Sequence, residues 1–143
     1  MAGLRAILFA TALLAGCDAP ADRNAGLQLP DSSVVWVIRA RDALTCTNAA
    51  AALRRILAAN PELELVTVAV DDPQGLVAGL LRAERLPLHV RSIGSEGAAR
   101  AAFRVDTLPA LLRIEGGVVQ WRLTARAATD PSLIARTLGA AEL

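Results

Sequence analysis

Val34-Val35-Trp36-Val37-Ile38 is an unbroken apolar, mostly β-branched run, and it limits what the chain can fold into more than any other stretch. A strand with one wet face alternates polar and apolar side chains, so a run that is apolar at every position has to be covered on both sides. It is therefore the expected central strand of a sheet with helices packed on its faces, an α/β arrangement.

The segments around it fit that arrangement. Asp42 is placed to cap a helix in which Ala49, Ala50, Leu53, Ile56 and Leu57 recur at helical spacing until Asn60-Pro61 stops it. Leu63, Leu65, Val66, Val68 and Val70 form the next strand, which ends at Asp71-Asp72-Pro73, a pair of acids expected in a solvated turn. Strand, helix and strand in that order predict two parallel strands. A second helix is expected over residues 74–85 on Leu76, Val77, Leu80 and Leu81, then an extended piece from Leu86 to Ile93 and a short helix from Ser95, its cap, to Phe103. Gly116-Gly117 lies between Ala110–Ile114 and Val118–Leu123, the signal for a tight antiparallel hairpin. A last helix starts near Asp130-Pro131 and carries Leu133, Ile134 and Leu138.

The first residues have a different logic. Arg5, the apolar run Ala6 to Leu14 and the small pair Ala15-Gly16 lie ahead of Cys17, the layout of a secretory signal too short to span a bilayer as a mature helix. Leu14-Ala15-Gly16-Cys17 also resembles the bacterial lipobox, which implies cleavage before Cys17 and acylation of its thiol. Residues 1–16 are then the signal peptide. Residues 17–32, rich in Asp, Ala, Pro, Asn and Ser, are a flexible tether, and residues 33–143 are the domain. The expected location is extracytoplasmic, on a bacterial membrane, with Asp18 pointing to the periplasmic face of the inner one. All 15 basic residues are arginine, they are scattered among 14 acids, and aromatic residues are few, which leaves no footprint for nucleic acid. Once Cys17 is acylated, Cys46 is the one thiol left, so no internal disulfide can form.

The order βαβ, a helical insertion, α, a β-hairpin and a closing α resembles the thioredoxin-like fold, and more closely its exported peroxiredoxin-like and cytochrome-maturation branch. The most specific stretch is Phe103-Arg104-Val105-Asp106-Thr107-Leu108-Pro109-Ala110 followed by a strand and the glycine turn. The resemblance implies that Pro109 is the family's cis-proline. A proline at the start of a strand has no amide to donate, so the backbone before it can be left open to an extended partner; a trans proline opening an edge strand is the plainer alternative. The resemblance further implies a CxxC dithiol at Ala43-Leu44-Thr45-Cys46, where Ala43 replaces the attacking cysteine, and a buried acid in the first strand, where Val37 stands instead.

Cys46 therefore admits two readings. Near a helix amino terminus it could be an activated nucleophile, or it could lie a turn inside the helix and pack inward as a small hydrophobe. The single histidine, His89, stands in another segment beside Pro87 and Leu88 and has no second ligand at metal spacing. No phosphate loop, cofactor motif or metal motif is present. Two functions remain in view. One is a degenerate thioredoxin-fold binding or assembly module that recognises another exported protein through Leu108, Pro109, Ala43, Leu44 and Thr45. The other is a single-thiol oxidoreductase or peroxidase using Cys46.

Overall fold

In the computed structural model, which describes residues 27–141, the apolar run is β1 (Ser33–Arg39) and lies in the middle of a five-stranded sheet of order β3-β2-β1-β4-β5. The signal peptide, Cys17 and the first part of the tether fall outside the described residues. A 3-10 turn (Ala40–Leu44) leads from β1 into α1 (Thr47–Ala59), and β2 (Glu64–Val70) follows. Next come α2 (Leu76–Ala83), β3 (Val90–Ile93), α3 (Glu96–Phe103), β4 (Ala110–Glu115), β5 (Val118–Thr124), a second 3-10 turn (Ala125–Ala128) and α4 (Pro131–Ala141). β1 runs parallel to β2 and antiparallel to β4, β2 is parallel to β3, and β4 and β5 form the expected hairpin. Its turn has Gly116 at φ +58 and Gly117 at φ +76, and two successive left-handed residues are what the twist of a tight hairpin requires.

Alternate residues of β1 feed two cores, one on each face of the sheet. Val34, Trp36 and Ile38 pack with Leu65 and Leu111 under α1, α2 and α4, through side chains such as Leu53, Leu81, Ile134 and Leu138. Val35 and Val37 pack with Val68, Val70 and Leu112 under α3, whose Phe103 is fully buried. Among the described residues, one face thus has three helices and the other a single short one.

The thinner layer is completed by the last part of the expected tether. Leu27 is 9% exposed and belongs to the α3 core, with Leu29 packed against it. The Gly117 amide donates to the Asp31 carbonyl at 3.2 Å, and the buried Arg113 guanidinium donates to Ser32 Oγ at 3.3 Å. Residues 27–32 therefore belong to the folded unit, because α3 alone leaves Val35 and its neighbours undercovered.

Three local expectations are also corrected. Asp42 does not cap α1: it sits inside the 3-10 turn, and Cys46 holds the N-cap position with its carbonyl accepting from the Ala50 amide at 2.9 Å. Cys46 is accordingly ahead of the helix and not a turn inside it. Asp72 is more than part of a solvated turn, since its two carboxylate oxygens accept the Leu76 and Val77 amides at 2.9 Å each and so start α2. Ser95 caps α3 as expected, accepting from the Ala98 amide at 3.1 Å.

Candidate functional site

The topology brings three distant pieces of chain to one end of the sheet. Arg39 ends β1 opposite Val70, the last residue of β2. Val70 in turn pairs with Ile93 at the end of β3, three residues before Glu96. On the other flank Val37 pairs with Ala110, which puts Leu108-Pro109 beside the same end of β1. This is the carboxyl end of the parallel strands, where sheets of this type expose their loops.

Arg39 ties these pieces together. Its Nε and Nη2 donate to the two Asp42 carboxylate oxygens at 2.8 and 3.0 Å, a planar fork onto a planar acid. The Arg39 amide donates to Asp42 Oδ2 as well, at 2.9 Å. Nη1 reaches Glu96 Oε1 and Nη2 reaches the Leu108 carbonyl, each at 3.0 Å. Arg41, 69% exposed, adds a longer contact to Glu96 Oε2 at 3.4 Å. The hydrogen bond and the charge of Asp42 raise the Arg39 pKa further above its ordinary value. The Asp42 carbonyl then accepts the Thr45 and Cys46 amides at 3.0 and 2.9 Å and Thr45 Oγ1 at 3.2 Å, which closes the turn.

The residues singled out from sequence fall into two groups. Ala43 and Cys46 point inward, Cys46 with no exposed surface, and the 81% exposed Leu44 and the exposed Thr45 point out. Leu108 and Pro109 are buried, joined by a cis peptide bond, and the Pro109 carbonyl accepts from the Ala125 amide at 2.9 Å. Among the described residues no acceptor is paired with the Leu108 amide. Val37 packs in the α3 layer, whereas Cys46 belongs to the layer under α1, α2 and α4.

This environment disfavours the Cys46 thiolate. Burial, and next the nearby Asp42 carboxylate, push the Cys46 thiol from 9.0 up to about 11, against smaller opposing effects of Thr45 and Arg39. Both leading causes penalise the thiolate, the species that attacks disulfides. Among the described residues no three His, Cys, Asp or Glu side chains are grouped as a metal would need.

No protein-family model and no curated protein matches the sequence. Solved structures do resemble the fold. A secreted disulfide oxidoreductase of Mycobacterium tuberculosis homologous to E. coli DsbE superposes with a TM-score of 0.61 at 19% identity, over 77% of this chain and 81% of that one. DsbF of the same organism gives 0.56 at 22% identity, over 78% and 81%. The apo Sco1 protein of Thermus thermophilus gives 0.55 at 16%, over 78% and 79%. The chain has the thioredoxin-like fold, as the resemblance in its sequence implies.

Arg39, Asp42 and Glu96 are the residues that sequence reasoning missed as a group. The one local signal is an arginine ending an apolar run with an acid three positions on. Glu96 and Leu108 lie 57 and 69 residues from Arg39, and only the fold brings them in.

Two outcomes follow from this geometry. Arg39→Ala leaves the buried Asp42 without its partner, and chemical denaturation is expected to show a loss of about 3 kcal/mol; Arg39→Lys, which cannot form the fork, recovers only part of it. The chain has no lysine and no tyrosine, so with Cys17 replaced Cys46 is the one side chain titrating between pH 9 and 11. The stability due to its protonated thiol is fully present below the unfolded pKa and is lost as pH rises toward about 11. Stability measured across that window should fall in the Cys17→Ala chain and stay flat when Cys46→Ala is added.

Proposed function

We propose that the chain is a lipid-anchored, extracytoplasmic member of the thioredoxin-like fold that binds another exported protein and performs no dithiol chemistry. The observation that carries this reading is the state of the two CxxC positions: Ala43 has no nucleophile, and Cys46 is fully buried with its thiol pushed up to about 11. Disulfide reduction needs one thiolate to attack and a second thiol to resolve the mixed disulfide. Neither role can be filled here, although structural neighbours are named as disulfide oxidoreductases.

Binding is favoured by what the same loop displays. Leu44 is 81% exposed at the tip of a turn that Asp42 and Arg39 hold rigid, and a large apolar side chain fixed in water suits a partner's apolar pocket. The Leu108 amide has no acceptor among the described residues, and an unpaired backbone donor just ahead of a strand suits β-strand addition. The anchoring half of the proposal rests on the lipobox-like Leu14-Ala15-Gly16-Cys17. No helix among the described residues is long and apolar enough to cross a membrane.

In an insulin-reduction assay the purified protein should give the rate of buffer alone, and Cys46→Ala should change nothing. A rate above buffer, or peroxide turnover, that disappears with Cys46→Ala would instead establish the single-thiol enzyme. In cells fed a radioactive fatty acid the protein should be labelled and sediment with membranes, and Cys17→Ala should lose both properties; retention of both would sink the anchoring claim.

A further inference from the structure

We propose that the groove between α1 and α4 is a binding site for a single-chain fatty acid, a site separate from the cis-proline end of the sheet. The two helices cover the same core and pack against each other. Ala52, Ile56 and Ala59 recur on α1 at intervals of four and three, and Ala135 and Gly139 stand four apart on α4, so each helix turns one stripe of side chains toward the seam. Most of these residues are small, which leaves a groove of about 600 Å³, within the range of small-molecule sites. The occupant has to be thin. Packed helices stand about 8–10 Å apart axis to axis. A further helix, about 10 Å across with its side chains, is too broad for the slot between them, whereas an extended acyl chain is one methylene wide.

Charge selects the head of the ligand. Neither α1 nor α4 contains an acidic residue, and the charged side chains they carry are Arg54, Arg55 and Arg136. Arg54 is turned to Glu84, at 3.7 Å. Arg55 lines the groove, is exposed, and makes no hydrogen bond or ion pair with any described residue. Asn60, whose Nδ2 donates to the Ile56 carbonyl at 2.8 Å, adds a neutral polar group to the wall. Four other depressions of the described surface each include a carboxylate: Asp71 and Glu96, Glu62 and Glu115, Asp106, or Asp71 and Asp72. Exposed arginines occur on both faces of the sheet, but this groove pairs one with an apolar wall and has no acid in its lining. A carboxylate on an apolar tail matches both halves. The tail takes the place of water against alanine and isoleucine, and the head meets a guanidinium whose donors are unspent.

The test is isothermal titration of the mature Cys17→Ala chain with dodecanoate below its micelle concentration, so that no acyl group on Cys17 competes. One dodecanoate should bind per chain. Decanoate, two methylenes shorter, should bind about tenfold more weakly, since each methylene buried is worth roughly fourfold. Dodecyltrimethylammonium, with the same tail and the opposite charge, should bind about fivefold more weakly than dodecanoate. Arg55→Ala should weaken dodecanoate about threefold without weakening the cationic amphiphile, and Arg82→Ala, on α2, should change neither. A Cβ built on Gly139 meets nothing within 4 Å, and Ala135 is exposed, so a larger side chain at either position enters the groove and not the core. Gly139→Leu and Ala135→Leu should each lower the affinity for both amphiphiles at least tenfold, with the cooperative thermal transition kept as proof of folding. Absence of saturable dodecanoate binding, equal affinity for the two charges, or binding untouched by both wall substitutions would overturn the proposal. So would a dimer, seen by sedimentation, that Gly139→Leu splits and dodecanoate does not, since the groove would then belong to a second copy.

Discussion

The fork between Arg39 and Asp42 is the interaction on which the candidate site depends. An ion pair taken out of water costs several kcal/mol per charge before attraction and hydrogen bonds offset it, so its value here lies in position more than in net stability. The Asp42 carboxylate accepts three donors, from the Arg39 amide, Nε and Nη2. The remaining guanidinium contacts reach α3 and the segment before Pro109. One side chain thus fixes the turn after β1, the start of α3 and the entry to β4 relative to each other. Loss of the contacts to Asp42, whose side chain is 8% exposed, leaves a carboxylate buried without its partner, which is more costly than never having made the pair.

The fork stands at the end of a strand that is buried on both faces from Ser33 to Ile38. The two layers that cover it are unequal. Three helices seal one side, and the other depends on α3 together with Leu27 and Leu29. The domain consequently starts earlier than its first strand, and the segment before Ser33 acts both as cover for the core and as the route toward the amino terminus.

What could be read from the sequence was what neighbouring residues decide among themselves. The apolar run of β1, the βαβ order, Ser95 as a cap and Gly116-Gly117 as a hairpin turn all rest on local pattern, and the fold contains each of them. Asp42 misled because capping chemistry does not specify which helical turn it serves. A five-residue 3-10 segment took the carboxylate and moved the start of α1 to Thr47. Asp72 reads as a solvated acid in the sequence because the bend at Gly75, φ +72, which brings the Leu76 and Val77 amides onto its carboxylate, is not apparent from composition. The packing of Leu27 and the reach of Arg39 to Glu96 and Leu108 depend on tertiary neighbours. The reading of Ala43-Leu44-Thr45-Cys46 as a degenerate CxxC belongs to the proposed function and draws on the resemblance and on Ala43 lacking a thiol, not on tertiary neighbours.

Burial of Cys46 also bears on how long the protein lasts. A thiol is oxidised through its thiolate and through contact with solvent, and the steps beyond sulfenic acid are largely irreversible. Cys46 has no exposed surface and holds its proton to about pH 11. A thiol held in that state is a poor nucleophile toward passing disulfides or peroxide, and under the proposed function repeated exposure in an oxidising compartment would leave little chemical record on it. The domain would then serve for as long as it stays folded, with no need for a reductant to regenerate it.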